Sequence, residues 1–247
     1  SSVKIRLIPV LLLREGTLVK SYEFKRYLPV GNPLTAIQFF NAWSVDEIVF
    51  LDITPLKKYT VERLDNNLKE FKSLAQYTRY ISKHCFVPLT VGGGIKTLED
   101  MRVLFKVGAD KISLNTIVHD NPKILSDAAA AFGSQAVVVS MDVKTSTSGK
   151  HEVVTGYGKR PTGKTPVAWA KQVARLGAGE ILLNSIDRDG MMMGYDLKLI
   201  RQVADAVNIP VIACGGVGQW SDLVDGVNKG HASAVAAANI FLFTEQA

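Results

Sequence analysis

Apolar residues along the chain fall in runs of strand length, separated by longer segments in which they recur at three- and four-residue spacing. The short runs predict strands over Ile5–Leu12, Glu47–Ile53, Pro88–Val91, Lys111–Leu114, Ala136–Asp142, Glu180–Ser185, Pro210–Ala213 and Ala234–Asn239. The longer pattern predicts helices that include Pro33–Trp43, Leu98–Val107, Pro122–Phe132, Pro166–Leu176 and Leu197–Val207. Eight strands with helices between them in 247 residues fit an α/β fold of the parallel (β/α)8 TIM-barrel type better than an open doubly wound sheet. No linker or low-complexity stretch divides the chain. The expectation is one domain over residues 1–247, with a final helix that is short or missing because the sequence stops soon after Phe243.

The pattern also repeats. Asp46-Glu47-Ile48-Val49-Phe50-Leu51 matches Gly179-Glu180-Ile181-Leu182-Leu183-Asn184, and Pro88-Leu89-Thr90-Val91-Gly92-Gly93-Gly94 matches Pro210-Val211-Ile212-Ala213-Cys214-Gly215-Gly216. Such self-similarity is the mark of two duplicated half barrels. It sets Val137 to Lys144 on Ile8 to Arg14, and so places Asp142 opposite Leu12.

Composition narrows the function. Apolar residues make up 47% of the chain and charged ones 21%, a globular balance. The uncharged apolar runs stay well short of the roughly 20 residues of a membrane span, and the start lacks a signal-peptide pattern, so a cytoplasmic protein is expected. The net charge of +6 comes from scattered Lys and Arg with no basic helix, which favours an anionic small molecule over nucleic acid. Cys85 and Cys214 read as buried thiols, and His84, His119, His151 and His231 show no ligand spacing. No metal or cofactor is expected.

The candidate chemistry lies at strand ends. Glycines after a barrel strand let backbone N–H groups approach an anion, and the two matched clusters, Gly92 to Gly94 and Gly215 with Gly216, suit either two phosphates or two tight strand-to-helix turns. Asp52, Asp142, Asp187 and Asp189 follow apolar runs and so belong at the catalytic face or serve as caps. Asp142 has Lys144 two residues on, on the same side of a strand, and suits a general acid or base.

On these stretches, with Gly108-Ala109-Asp110-Lys111-Ile112-Ser113-Leu114-Asn115-Thr116 and Ser185-Ile186-Asp187-Arg188-Asp189-Gly190, the chain resembles the cyclase subunits of imidazole glycerol phosphate synthase, histidine-biosynthesis barrels. The resemblance implies a heterodimer with a glutaminase subunit docked at the bottom of the barrel. Ammonia from that partner would be added to a bis-phosphorylated substrate at the top. It implies a catalytic acid at Asp142 and a loop lysine at Lys20. It puts the phosphate sites at Gly92, Gly93 and Gly94 with Asn115 and Thr116, and at Gly215 and Gly216. It also implies an ammonia gate of Arg6, Glu47, Lys111 and Glu180, with a plain ring of salt bridges as the other reading.

The chain departs from this pattern at the top. Leu12 stands where the family has a second catalytic Asp, Asn184 and Met191 replace threonines near the substrate, and Asn239 replaces a serine at the second phosphate site. The spacing from Asp52 to Thr90 is also about ten residues longer than is usual in the family. Loss of one general acid or base costs about 10² to 10⁴ in rate, so an impaired cyclase is expected. The resemblance then points to a diverged second copy, like those found with polysaccharide-biosynthesis genes, that supplies ammonia to a third protein amidating a nucleotide-linked sugar. The alternatives are the ordinary histidine-pathway cyclase and a silent barrel that only activates its glutaminase.

Overall fold

Residues along the first strand alternate between two cores. Ile8, Val10 and Leu12 pack inward with Val49, Val138, Leu182, Ile212, Ala234 and Ala236. Leu11 and Leu13 pack outward with Phe50, Val91, Ile112, Val139 and Ile181 against the helices. A strand buried on both faces reads as a continuous apolar run, as LIPVLLLR does. The computed structural model describes residues 5–55 and 73–238. Asn239 and the chain after it lie outside the described residues, as does much of the lengthened segment between Asp52 and Thr90.

The chain opens with β1 (Leu7–Arg14), β2 (Thr17–Tyr22), β3 (Arg26–Gly31), α1 (Pro33–Ala42) and β4 (Ile48–Asp52). Then come α2 (Leu74–Ser82), β5 (Leu89–Gly92), α3 (Leu98–Lys106), β6 (Lys111–Leu114), α4 (Thr116–Asp120) and α5 (Lys123–Phe132). The second half runs through β7 (Val137–Thr145), β8 (His151–Thr155), β9 (Arg160–Pro161), α6 (Pro166–Leu176) and β10 (Glu180–Ser185). It closes with α7 (Leu197–Ala206), β11 (Val211–Cys214), α8 (Trp220–Asn228) and β12 (Ala234–Ala237). Eight strands, in the order β1-β4-β5-β6-β7-β10-β11-β12, pair in parallel, and β12 returns to β1. The fold is a (β/α)8 barrel.

Local chemistry accounts for the elements. In α6, Thr165 accepts from the Ala168 N–H as N-cap, Pro166 fills the first turn, and Gly177 at φ 117° ends the helix in the left-handed region. A Cβ on Gly177 would stand 2.7 Å from the Ala129 Cβ, so the turn needs glycine for space as well as for φ. Trp169, Ala170 and Val173 form the buried stripe at helical spacing.

The duplication holds in the register. Leu12 pairs with Leu51 across β1 and β4, and Asp142 pairs with Asn184 across β7 and β10, so Leu12 and Asp142 occupy equivalent positions. Each half also begins with a strand that runs past the rim into an antiparallel hairpin, β1 into β2 and β3, β7 into β8 and β9. Neither hairpin belongs to the eight predicted strands. Their pairing also carries β1 to Arg14 rather than Leu12, because Leu12, Leu13 and Arg14 meet Val19, Leu18 and Thr17. Among the described residues, no helix is long and apolar enough to cross a membrane.

Candidate active site at the barrel mouth

At the bottom of the barrel, Arg6, Glu47, Lys111 and Glu180 form an alternating ring of charge. Arg6 Nη2 donates to Glu47 Oε2 at 2.7 Å, and Lys111 Nζ donates to Glu47 Oε1 at 3.0 Å and to Glu180 Oε1 at 2.5 Å. Arg6 reaches Glu180 Oε2 at 3.7 Å and closes the circuit. Burial opposes the charge on Lys111, but the hydrogen bonds it donates to both glutamates outweigh this and hold its pKa above the ordinary value. The four charges thus compensate one another where the bore begins.

Above the ring the inward positions of β6 and β7 stay polar. Ser113 and Ser140 share a hydrogen bond of 2.5 Å, and the next inward residues are Asn115 and Asp142. These open into a cavity of about 750 Å³ at the C-terminal ends of the strands, the face where barrels of this kind carry their chemistry. Asp142 is buried and accepts from Asn115 Nδ2 at 2.9 Å and from Asn184 Nδ2 at 3.4 Å. Burial pushes its carboxyl up, and the two amides only partly oppose this. A buried strand-end carboxyl raised in this way is a candidate general acid or base. Leu12 faces the same cavity beside Leu51 and Val10, buried in the inner apolar cluster.

The sequence-expected residues divide as follows. Asp52, Gly93, Gly94, Asn115, Thr116, Asp142, Asn184 and Asp189 line the cavity with Leu12, whereas Lys20, Lys144 and Gly92 do not. Lys20 lies on β2 with its ammonium 4.8 Å from the Tyr22 ring centroid, and Lys144 packs by Gly158. Asp52 accepts from the Thr54 N–H at 3.0 Å and so also shapes its own turn. Asp187 accepts from the Thr145 N–H, a tie between β7 and the segment after β10. Asn239 lies outside the described residues.

Both glycine loops depend on glycine. Gly93 and Gly94 have φ of 107° and 68°, Gly215 and Gly216 of 93° and 111°. A Cβ on Gly93 would collide with the Asp52 carbonyl, and one on Gly215 would stand 2.6 Å from the Ser185 carbonyl, its counterpart in the repeat. The two loops nevertheless differ. Gly93 and Gly94 open into the large cavity near Lys96 and Arg160. Gly215 and Gly216 enclose about 10 Å³ with Asp189 and Gly190, room for roughly one water.

The hairpin β2–β3 is tied to Asp189, which lines that second pocket. Ser21 Oγ donates to Asp189 Oδ2 at 2.5 Å, and the Glu23 N–H donates to the Asp189 carbonyl at 3.0 Å. Burial pushes the Asp189 carboxyl up to about 6, with the Ser21 hydrogen bond opposing. Sequence reading missed Ser113, Ser140, Tyr157, Lys96 and Arg160. The two serines sit two residues from Asn115 and Asp142, so strand alternation held the signal. Tyr157, at φ 59° on the turn between β8 and β9, lines the cavity, and burial raises its hydroxyl pKa. Cys214 also faces the cavity, its thiol pushed by burial up to about 12. Among the described residues no three His, Cys, Asp or Glu side chains gather as a metal site.

Residues 6–246 match the family model described as histidine biosynthesis protein. The chain is 45% identical over 240 residues to imidazole glycerol phosphate synthase subunit HisF of Alkaliphilus metalliredigens, covering 97% of this chain and 91% of that protein. It is 44% identical over 243 residues to a Vibrio vulnificus protein named as imidazole glycerol phosphate synthase subunit hisF2, covering 98% of this chain and 85% of that one.

Proposed function

The chain belongs to the histidine biosynthesis protein family, and from that premise we propose that it is a cyclase-type subunit of imidazole glycerol phosphate synthase reassigned to deliver ammonia. A glutaminase docked at the bottom face releases ammonia at the ring of Arg6, Glu47, Lys111 and Glu180. Ammonia then passes Ser113 and Ser140 to Asp142. Gly93, Gly94, Asn115 and Thr116 hold a phosphate of a ligand at the mouth, aided by the charges of Lys96 and Arg160. Gly215 and Gly216 take a second phosphate only when the hairpin lifts from Asp189.

One observation carries the reassignment. At the position equivalent to Asp142 the mouth presents Leu12, packed among Val10, Val49 and Leu51, so one carboxyl remains where the duplicated plan has room for two. Leucine neither accepts nor donates a proton, which removes about 10² to 10⁴ from an acid–base reaction. The ammonia is therefore consumed by a third protein that amidates a nucleotide-linked sugar.

The test is ammonia-dependent cyclisation of the histidine-pathway intermediate by the purified chain beside a Leu12→Asp variant. The native chain should be inactive and the variant should form product. Turnover of the native chain at an ordinary enzymatic rate would make it a standard cyclase, the reading favoured by the 45% identity to the Alkaliphilus subunit. No product from either, with stimulation of the glutaminase intact, would leave a barrel that only activates its partner.

A further inference from the structure

The cavity at the mouth has few cations and one long apolar side. Lys96, two residues past Gly94, and Arg160 are both exposed, and among the described residues they are the only cations that line it. The other charged lining residues are Asp52, Asp120, Asp142 and Asp189. One anionic group therefore finds complementary charge, and a second on the same ligand finds carboxyls. The apolar side begins next to the glycine loop. A Cβ on Gly92 would stand 3.1 Å from Leu51 Cδ2, and Leu51 pairs with Leu12 in the ladder between β1 and β4. Phe24 and Tyr157 line the same cavity and meet edge to face, with ring centroids 6.4 Å apart.

The polar side of the cavity is largely engaged with itself. Ser113 and Ser140 bond each other, and Asn115 and Asn184 donate their amino groups to Asp142. A sugar laid across the mouth would exchange water for Leu12, Leu51 and donors already in use, so its hydroxyls would lose hydrogen bonds. An apolar group meets no such loss, and it removes its own surface and that of the leucines from water. Resting on the reading that Gly93 and Gly94 hold a phosphate, we infer that the mouth is a binding site for a phosphate monoester whose organic group is apolar and aromatic, seated against Leu12 and Leu51. Phe24 and Tyr157 suit an aromatic group because rings favour edge-to-face and offset contacts. Leu12 is then more than a missing acid: it selects the ligand.

The experiment titrates the full chain with phenyl phosphate, ribose 5-phosphate and inorganic phosphate, each followed through its own 31P resonance. Phenyl phosphate should bind about tenfold more tightly than either of the others. Leu12→Asn, close to leucine in size and uncharged, should remove that preference while inorganic phosphate binds as before. Leu51→Asn, at a partly exposed position, should do the same and serves where Leu12→Asn does not fold. Arg160→Ala should weaken all three by about threefold. Equal affinity for phenyl phosphate and ribose 5-phosphate, or a preference that survives both leucine variants, would overturn the site. Saturable binding of inorganic phosphate without the preference removes this inference alone. No saturable shift with any of the three removes the phosphate reading, and this inference with it.

Discussion

On β6, β7 and β10 the inward positions mix polar and apolar side chains: Lys111, Ser113 and Asn115, then Val138, Ser140 and Asp142, then Glu180, Leu182 and Asn184. On β12, β1 and β4 they carry Ala234 and Ala236, then Ile8, Val10 and Leu12, then Val49 and Leu51. One wall of the bore therefore carries polar groups from the ring to the mouth, interrupted by Val138 and Leu182, and the facing wall is a packed apolar surface. The same strand geometry makes both. A small polar molecule gains hydrogen bonds along one side only, and the apolar side keeps bulk water from competing for them.

Placing Asp142→Leu on the Leu12→Asp background should break this asymmetry most severely. It moves the carboxyl from the Asp142 position to its equivalent on the opposite wall, and the rescued cyclisation should fall by about 10² to 10⁴ in a product assay. An unchanged rate would show that the polar wall is dispensable. At the other end of the bore, Lys111→Met leaves Glu47 and Glu180 with Arg6 as the one cation between them, and should cost up to about 3 kcal/mol in urea unfolding.

Asp189 sharpens the contrast through pH. Its folded pKa of about 6 lies above the ordinary 3.8, so the folded state prefers the protonated form. Stability from this group is fully present below about pH 4 and falls as pH rises towards 6, by roughly 2 to 3 kcal/mol. Asp189→Asn should flatten that part of the stability profile, and a slope that survives would assign it elsewhere. The smallest effect belongs to the serine pair. Ser113→Ala strands the Ser140 hydroxyl and should cost about 1 to 2 kcal/mol, while the Ser113→Ala/Ser140→Ala double variant should lose less than the two singles summed.

The barrel was legible because each of its strands is an apolar run buried on both faces, and the helices between them carry stripes at helical spacing. The hairpins were not, since Thr17–Tyr22 and Arg26–Gly31 pair beyond the rim and β3 is largely exposed, which leaves no sustained apolar pattern. The position of Asp142 and its equivalence to Leu12 followed from the repeat alone. The hydrogen bonds that Asn115 and Asn184 donate to Asp142 did not, because they depend on which way two side chains turn. Lys20 sits on a strand whose placement follows from tertiary pairing with β1 and β3, which no local spacing reveals.

The two rim hairpins have a further consequence for amide exchange. Among the described strands, β3 is bonded to β2 alone and β9 to β8 alone, while every barrel strand has a neighbour on each side. Peeling β3 away breaks one ladder and leaves the barrel closed, so the amides of Tyr27 and Leu28 exchange through a local opening far below the free energy of unfolding. Those of Val138 and Leu182 wait for the barrel itself to open. The entrance to the cavity can thus be remade many times within the lifetime of a single folded barrel.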